Sequence, residues 1–174
     1  DESINRICKE VAAAQNRVVA AVNFNSPGQV VIAGHADAVE AAITSLKAAG
    51  AKRAMPLPVS APFHTALMRP AGEKLADALA TITINAPGIP VIHNVHAAGE
   101  SNPEKIRSLL VEQIYSPVQW TGCVQAICAT GATGVVECGP GKVLSGLNKR
   151  IDASLQSYSL EEPEALEAAI AELK

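Results

Sequence analysis

Val18-Val19-Ala20-Ala21-Val22-Asn23-Phe24, Asn25-Ser26-Pro27-Gly28 and Gln29-Val30-Val31-Ile32-Ala33 follow one another without a gap. The first block is a β-branched, apolar run and reads as a strand. The second has turn chemistry, and the third is the returning strand, so the three spell a hairpin. In front of it, Ser3 to Gln15 places Ile4, Ile7, Cys8 and Val11 at i, i+3, i+4, i+7 behind the possible caps Asp1 and Ser3, one face of an amphipathic helix. Behind it, Asp37 to Ala49 carries Val39, Ile43 and Leu46 on one face and meets Gly50 as a stop. Arg53 to Val59 then reads as a further strand. Helix, strand, strand, helix, strand is a split β-α-β ferredoxin-like unit that lacks only its first strand, the central one of that sheet. The expectation is a sequence that starts too late to include it, and the opening Asp1-Glu2-Ser3, without an initiating Met, points the same way.

The composition fits this reading. Of 174 residues, which suit one ordinary domain or two small ones, 48% are apolar but only 3% aromatic, so the core must be built from Ala, Val, Ile and Leu. That suits helices packed on a largely buried sheet. The net charge of −3, from 14 basic and 17 acidic residues with no basic tract, gives no nucleic-acid footprint. No apolar run approaches the roughly 18 residues of a membrane span, and no signal peptide opens the chain. Cys8, Cys123, Cys128 and Cys138 lack a zinc or disulfide spacing. They read as reduced thiols, most of them buried, in a cytoplasmic protein.

At Met55-Pro56-Leu57-Pro58-Val59-Ser60-Ala61-Pro62-Phe63-His64 three prolines keep the chain extended. A helix from Thr65 to about Thr81, broken only by Pro70 near its start, follows at once. His64 therefore sits where an extended segment gives way to a helix, either as a structural histidine or as a base presented to a cleft. Beyond it, Ile89 to Val95 reads as a strand. Asn102 and Pro103 open a helix to about Tyr115, and Pro117 to Thr130 is a further helix. Gly134 to Cys138 is a short buried strand, Gly139-Pro140-Gly141 turns into a helix over Lys142 to Arg150, Ser157 to Leu160 is extended, and Glu164 to Leu173 is a last helix. Alternating strands and helices argue for a parallel sheet covered on both faces.

Other constellations reduce to structure. Gly139-Pro140-Gly141-Lys142 fails as a phosphate loop, with Val136 and Val143 where Gly and Ser or Thr are required. His93 and His96 are three apart in an expected strand and should point to opposite faces, which argues against a shared ion. His35 lies in a turn and should be solvated. No Gly-x-Ser-x-Gly elbow offers a nucleophile, so residue chemistry alone leaves His64 a positioned base without a partner.

Four blocks go further: Val22 to Gly34, Pro56 to His64, Tyr115-Ser116-Pro117-Val118-Gln119-Trp120, and Glu137-Cys138-Gly139-Pro140-Gly141-Lys142-Val143-Leu144. In this order, over essentially the whole chain, they resemble the malonyl-CoA:acyl carrier protein transacylases of bacterial fatty-acid synthesis. The resemblance implies an α/β fold in which residues 1–60 form the incomplete ferredoxin-like insert. Residues 61–174 would be the C-terminal part of an α/β-hydrolase-like core with a parallel sheet. The family's serine nucleophile, its malonyl-binding arginine and its oxyanion-hole glutamine lie in the preceding half and match no residue here. His64 matches the catalytic histidine of a serine–histidine dyad, oriented by a backbone carbonyl assigned to Gln113. Phe63 would fill the space of an α-methyl group and so favour malonyl, and Asn25 would line the pocket from the hairpin turn.

The implied chemistry is ping-pong malonyl transfer from malonyl-CoA to the phosphopantetheine thiol of acyl carrier protein. It needs no metal or cofactor, and the full-length enzyme would be a cytoplasmic monomer. Lys142, Lys149-Arg150 and Lys52-Arg53 are candidates for a basic rim facing the acidic carrier protein. The alternatives are a non-catalytic fragment that only binds carrier protein or its missing half, and a patatin-like hydrolase, against which the Pro-Phe-His and Gly-Pro-Gly-Lys blocks count.

Overall fold

The computed structural model describes residues 1–172; Leu173, the expected end of the last helix, lies outside the described residues. Helix α1 (Glu2–Gln15) packs on the hairpin of β1 (Val19–Ser26) and β2 (Gln29–Gly34), and α2 (Ala36–Ala48) returns over it. Cys8, Val19, Ala38 and Ala42 are the fully buried centre of this layer, packed round by Ile4, Val11, Ala12, Ile32 and Val39. Gly50, at φ 93°, closes α2. Its N–H donates to Lys47 O, and Ala51 N–H donates to Leu46 O, the paired bonds of a Schellman motif.

The hairpin turn is tighter than the four residues the sequence suggested. Ser26 pairs directly with Gln29, so only Pro27 and Gly28 form the loop, with Gly28 at φ 77° as position three of a type II turn requires. Asn25 is consequently a strand residue. Two register shifts, at Val22 and Asn25, make β1 bulge twice, which bends and twists the strand. At the first bulge Val22 O accepts from Val118 N–H at 2.8 Å, and Phe24 N–H donates to Val118 O at 2.9 Å. Val118, expected in a helix, is thus a one-residue β-bridge to Asn23, and α5 begins only at Trp120 (Trp120–Ala129).

Among the described residues the segment 53–59 joins no sheet, and Val59 N–H closes a tight turn onto Leu57 O rather than continuing a strand. Met55, Leu57 and Val59 in this segment are 52%, 52% and 63% exposed. After a single 3₁₀ turn (Ala66–Met68), α3 runs over Arg69–Ala80 with Pro70 in its first turn, opening the helix rather than breaking it. The strand expected at 89–95 shrinks to β3 (Ile92–His93), paired with β4 (Ala98–Gly99). Helix α4 (Pro103–Glu112) is capped as the sequence foretold: Asn102 Oδ1 accepts from Glu104 and Lys105 N–H. The parallel sheet is one pair, β5 (Gly134–Glu137) with β6 (Gln156–Ser159), joined through α6 (Val143–Ile151) and followed by α7 (Pro163–Glu172). The α/β class stands, with its sheets each two strands wide among the described residues.

Gly34 tests the hairpin. A Cβ there would overlap the backbone carbonyl of Val18, which cannot move aside because Val18 O also accepts from His35 N–H. Gly34→Ala should destabilise the fold by about 2–4 kcal/mol in chemical denaturation, the range of a severe steric substitution. A loss below about 0.5 kcal/mol would show that the strand end relaxes freely.

Candidate active site

His64 is held in an unusual backbone state, φ 62°, the left-handed region that non-glycine residues seldom occupy. Its neighbours enforce it. Thr65, 2% exposed, donates its hydroxyl back across His64 to Pro62 O at 2.7 Å, while Thr65 O accepts from Met68 N–H to start the 3₁₀ turn. The half-buried imidazole is 2.8 Å from Gln113 O through Nδ1. A carbonyl can only accept, so Nδ1 carries the proton and Nε2 of the neutral ring holds the free lone pair.

That carbonyl is free for a reason written in the sequence. Gln113 follows the last residue of α4, and the residue four further on, whose N–H would normally bond to it, is Pro117. Gln113 O also lies at the carbonyl end of α4, where the helix dipole presents partial negative charge. A cation forming on the ring therefore faces a favourable dipole without a carboxylate. The spacing of Gln113 and Pro117 is readable from the sequence.

A second set of contacts joins the same segments. Arg69 guanidinium stacks 4.5 Å from the centroid of the Tyr115 ring, and the Tyr115 edge lies against the backbone of Gly72, where an added Cβ would come within 2.9 Å of it. At the opposite end of the helix pair, Arg107 of α4 donates to Leu79 O and Ile82 O of the α3 terminus. Arg69, Tyr115 and Thr65 were not singled out from the sequence, where nothing marks Arg69 and Tyr115 as partners.

Of the other expected site residues, Phe63 is adjacent to His64 and 47% exposed. Asn25 is half-buried in the β1 bulge, and among the described residues no hydrogen bond joins it to His64 or Gln113. Lys142 and Lys149 line a cleft of about 440 Å³ between α6 and the chain leading into β6. Arg150 is engaged by Gln29 Oε1 at 2.6 Å, and Arg53 Nε contacts Met55 Sδ. His35 is half-buried rather than free in solvent: its Nδ1 accepts from Val18 N–H at 3.0 Å and ties the two ends of the hairpin.

The glycine-rich turn has a physical reason not to bind phosphate. The N-terminus of α6 is already occupied by Glu137, whose carboxylate accepts from Leu144 N–H, Ser145 N–H and the Ser145 hydroxyl at 2.7–3.0 Å. The Ser145 hydroxyl, followed by these amides, holds the Glu137 carboxyl below the usual carboxylate range. Cys8 and Cys123 are buried thiols, that of Cys8 pushed up to about 11 by burial, while Cys128 is half-buried and Cys138 exposed.

His93 and His96 do not lie on opposite faces, because β3 ends at His93 and the chain turns through Ala97 at φ 53°. The rings meet edge to face, 6.0 Å apart. Among the described residues no group of three His, Cys, Asp or Glu is placed to hold a metal ion. Among the described residues His93 Nε2 is buried without a hydrogen-bond partner. Burial, followed by repulsion from His96, lowers the His93 pKa, against a smaller opposing pull from Glu100.

Residues 4–160 match the acyl transferase domain family, and the chain belongs to it. It is 56% identical over 170 residues to the malonyl CoA-acyl carrier protein transacylase of Escherichia coli K12, an alignment covering 98% of this chain and 54% of that protein. The acyl-carrier-protein S-malonyltransferase of Burkholderia pseudomallei superposes with a TM-score of 0.94 at 48% identity, over 98% of this chain and 55% of the other. A malonyl-transacylase in complex with a type II PKS acyl-carrier protein superposes with a TM-score of 0.95 at 50% identity, over 99% and 55%. The chain thus spans about half the length of the relatives it matches. Among the described residues no helix is long and apolar enough to cross a membrane.

The His93 environment gives a pH prediction. A histidine whose folded pKa lies below its ordinary value of 6.5 binds fewer protons folded than unfolded just beneath that value, so stability falls as pH drops through it. Denaturation at pH 7.5 and pH 5.5 should show a loss that is smaller in His93→Asn. An equal loss in both proteins would remove His93 as the cause.

Proposed function

We propose that this chain is the histidine-bearing portion of a malonyl-CoA:acyl carrier protein transacylase, with His64 as the general base. The single observation that carries the reading is the Nδ1–H to Gln113 carbonyl bond, which orients the ring and, in its neutral form, puts the free lone pair on Nε2. A serine hydroxyl is a weak nucleophile until an adjacent base accepts its proton. Nε2 would take that proton as the serine oxygen attacks the thioester carbonyl of malonyl-CoA, then return it to the departing coenzyme A sulfur. In the second half-reaction the same nitrogen would deprotonate the phosphopantetheine thiol of acyl carrier protein as its sulfur attacks the acyl-serine. The proton would then return to the serine oxygen. The serine would come from the half of the family fold that precedes these residues.

The likeness to proteins named for malonyl transfer, one of them in complex with an acyl-carrier protein, supports this substrate and partner. The division into an insert over 1–60 and a core portion over 61–174, the cytoplasmic location and the monomeric whole enzyme belong to the same proposal. A second reading rests on the exposed apolar side chains of Met55, Leu57 and Val59: alone, the chain would bind its complementary half without turning over.

Two measurements test the proposal. In the longer transferase, His64→Ala should slow malonyl transfer to holo acyl carrier protein by about 10²–10⁴-fold, the usual contribution of a positioned base; an unaltered rate would remove His64 from the chemistry. Phe63, beside the base, is assigned to exclusion of an α-methyl group. Phe63→Ser should then narrow the preference for malonyl over methylmalonyl by roughly tenfold or more in direct competition. An unchanged ratio would assign Phe63 to packing alone.

A further inference from the structure

We propose that Tyr115, wedged between Arg69 and Gly72, is a positioning residue that keeps the Gln113 carbonyl on Nδ1 of His64; this rests on the reading of His64 as a base. Past Glu112 the α4 ladder ends with Gln113 N–H on Leu109 O, and two tighter turn bonds follow, Ile114 N–H to Val111 O and Tyr115 N–H to Glu112 O, before Ser116-Pro117. The Gln113 N–H is thus anchored in α4, while its carbonyl belongs to the peptide it shares with Ile114, in the short terminal turn that leads to Tyr115. That carbonyl must nonetheless meet an imidazole carried by a different segment, 49 residues away in sequence.

Tyr115 supplies the missing restraint. Two residues beyond Gln113, its ring is held from the α3 side at both Arg69 and Gly72. These are three apart and so share a helix face. Gly72 is buried, and its lack of a side chain admits the ring edge against the α3 backbone. Arg69 lies five residues past His64, joined to it by the 3₁₀ turn that Thr65 opens. The result is a closed circuit: His64 to α3, α3 to Tyr115 through Arg69 and Gly72, Tyr115 to Gln113, and Gln113 O back to His64. Displacing the ring frees the terminal turn and, with it, the acceptor that selects the tautomer.

Nitrogen-15 spectra of the histidine ring read this directly, with His64 assigned from the signals lost in His64→Gln. The wild-type protein should show one neutral tautomer, protonated on Nδ1. Tyr115→Leu should lose that single form and populate the Nε2–H tautomer, whereas Tyr115→Phe, which keeps the ring, should retain the wild-type pattern. Arg69→Ala, a change at an exposed side chain, carries the same expectation as Tyr115→Leu and replaces it if the leucine variant does not fold. A wild-type ring state in the folded variant, or its loss in Tyr115→Phe, overturns the proposal. In the longer transferase Tyr115→Leu should lower kcat roughly tenfold or more with KM unchanged, as expected for misplaced catalytic geometry. If His64→Ala leaves transfer intact, the base assignment fails while the tautomer result still decides the role of Tyr115.

Discussion

The site depends on a carbonyl that its own helix cannot use. Helix α4 would ordinarily continue its ladder through the N–H of residue 117, but that residue is proline, and Gln113 O is left facing outward at the negative end of the helix dipole. An imidazole placed there gains a fixed tautomer and a favourable dipole at once. A carboxylate in the same place would add a full charge, and with it the cost of desolvating an anion in a half-buried setting. A main-chain acceptor avoids that cost.

What brings the imidazole to this carbonyl is a pair of helices clamped at both ends. Arg107 closes one end by donating to two carbonyls at the α3 terminus, and the Tyr115–Arg69–Gly72 contact closes the other beside His64. Buried Leu79, Ile106 and Leu109 supply the apolar part of this layer. The left-handed backbone at His64 is a modest strain, on the order of 1–2 kcal/mol. It persists because the Thr65 hydroxyl, the turn bond at Met68 and the Gln113 carbonyl all require it. Strain of this kind, over-determined by its surroundings, is common where a side chain must be aimed rather than merely packed.

The bulged strand β1 couples this layer to the hairpin layer. Its first bulge turns the Val22 carbonyl and the Phe24 amide toward Val118, and the Thr121 hydroxyl donates to Phe24 O, so the start of α5 is docked on the hairpin. Trp120 then donates from Nε1 to the buried Asn148 Oδ1 and ties α5 to α6. Residues 19–26 thus serve two layers, the α1–α2 packing at one end and the α5–α6 packing at the other. A boundary drawn at residue 60 divides the sequence more cleanly than it divides the contacts.

Features set by neighbours within a turn or two were legible in the sequence. The cap at Asn102 with Pro103 inside it, the Gly50 stop, the amphipathic faces of α1 and α2, and the Pro27-Gly28 turn all follow from local dihedral preferences and orphan backbone groups. Strand lengths were not legible, because a strand exists only where a partner completes its ladder: residues 53–59 have the composition of a strand and no partner, while Val118 has the setting of a helix and is a bridge. His93 and His96 were misplaced for the same reason, since their spacing was read on a strand that stops at His93. The sequence by itself determined that His64 would emerge from an extended, proline-rich segment, and that Pro117 would leave the Gln113 carbonyl unclaimed. Only the tertiary structure decided that these two groups meet, because their meeting depends on the packing of α3 on α4, and no local pattern encodes a contact between residues so far apart in the chain.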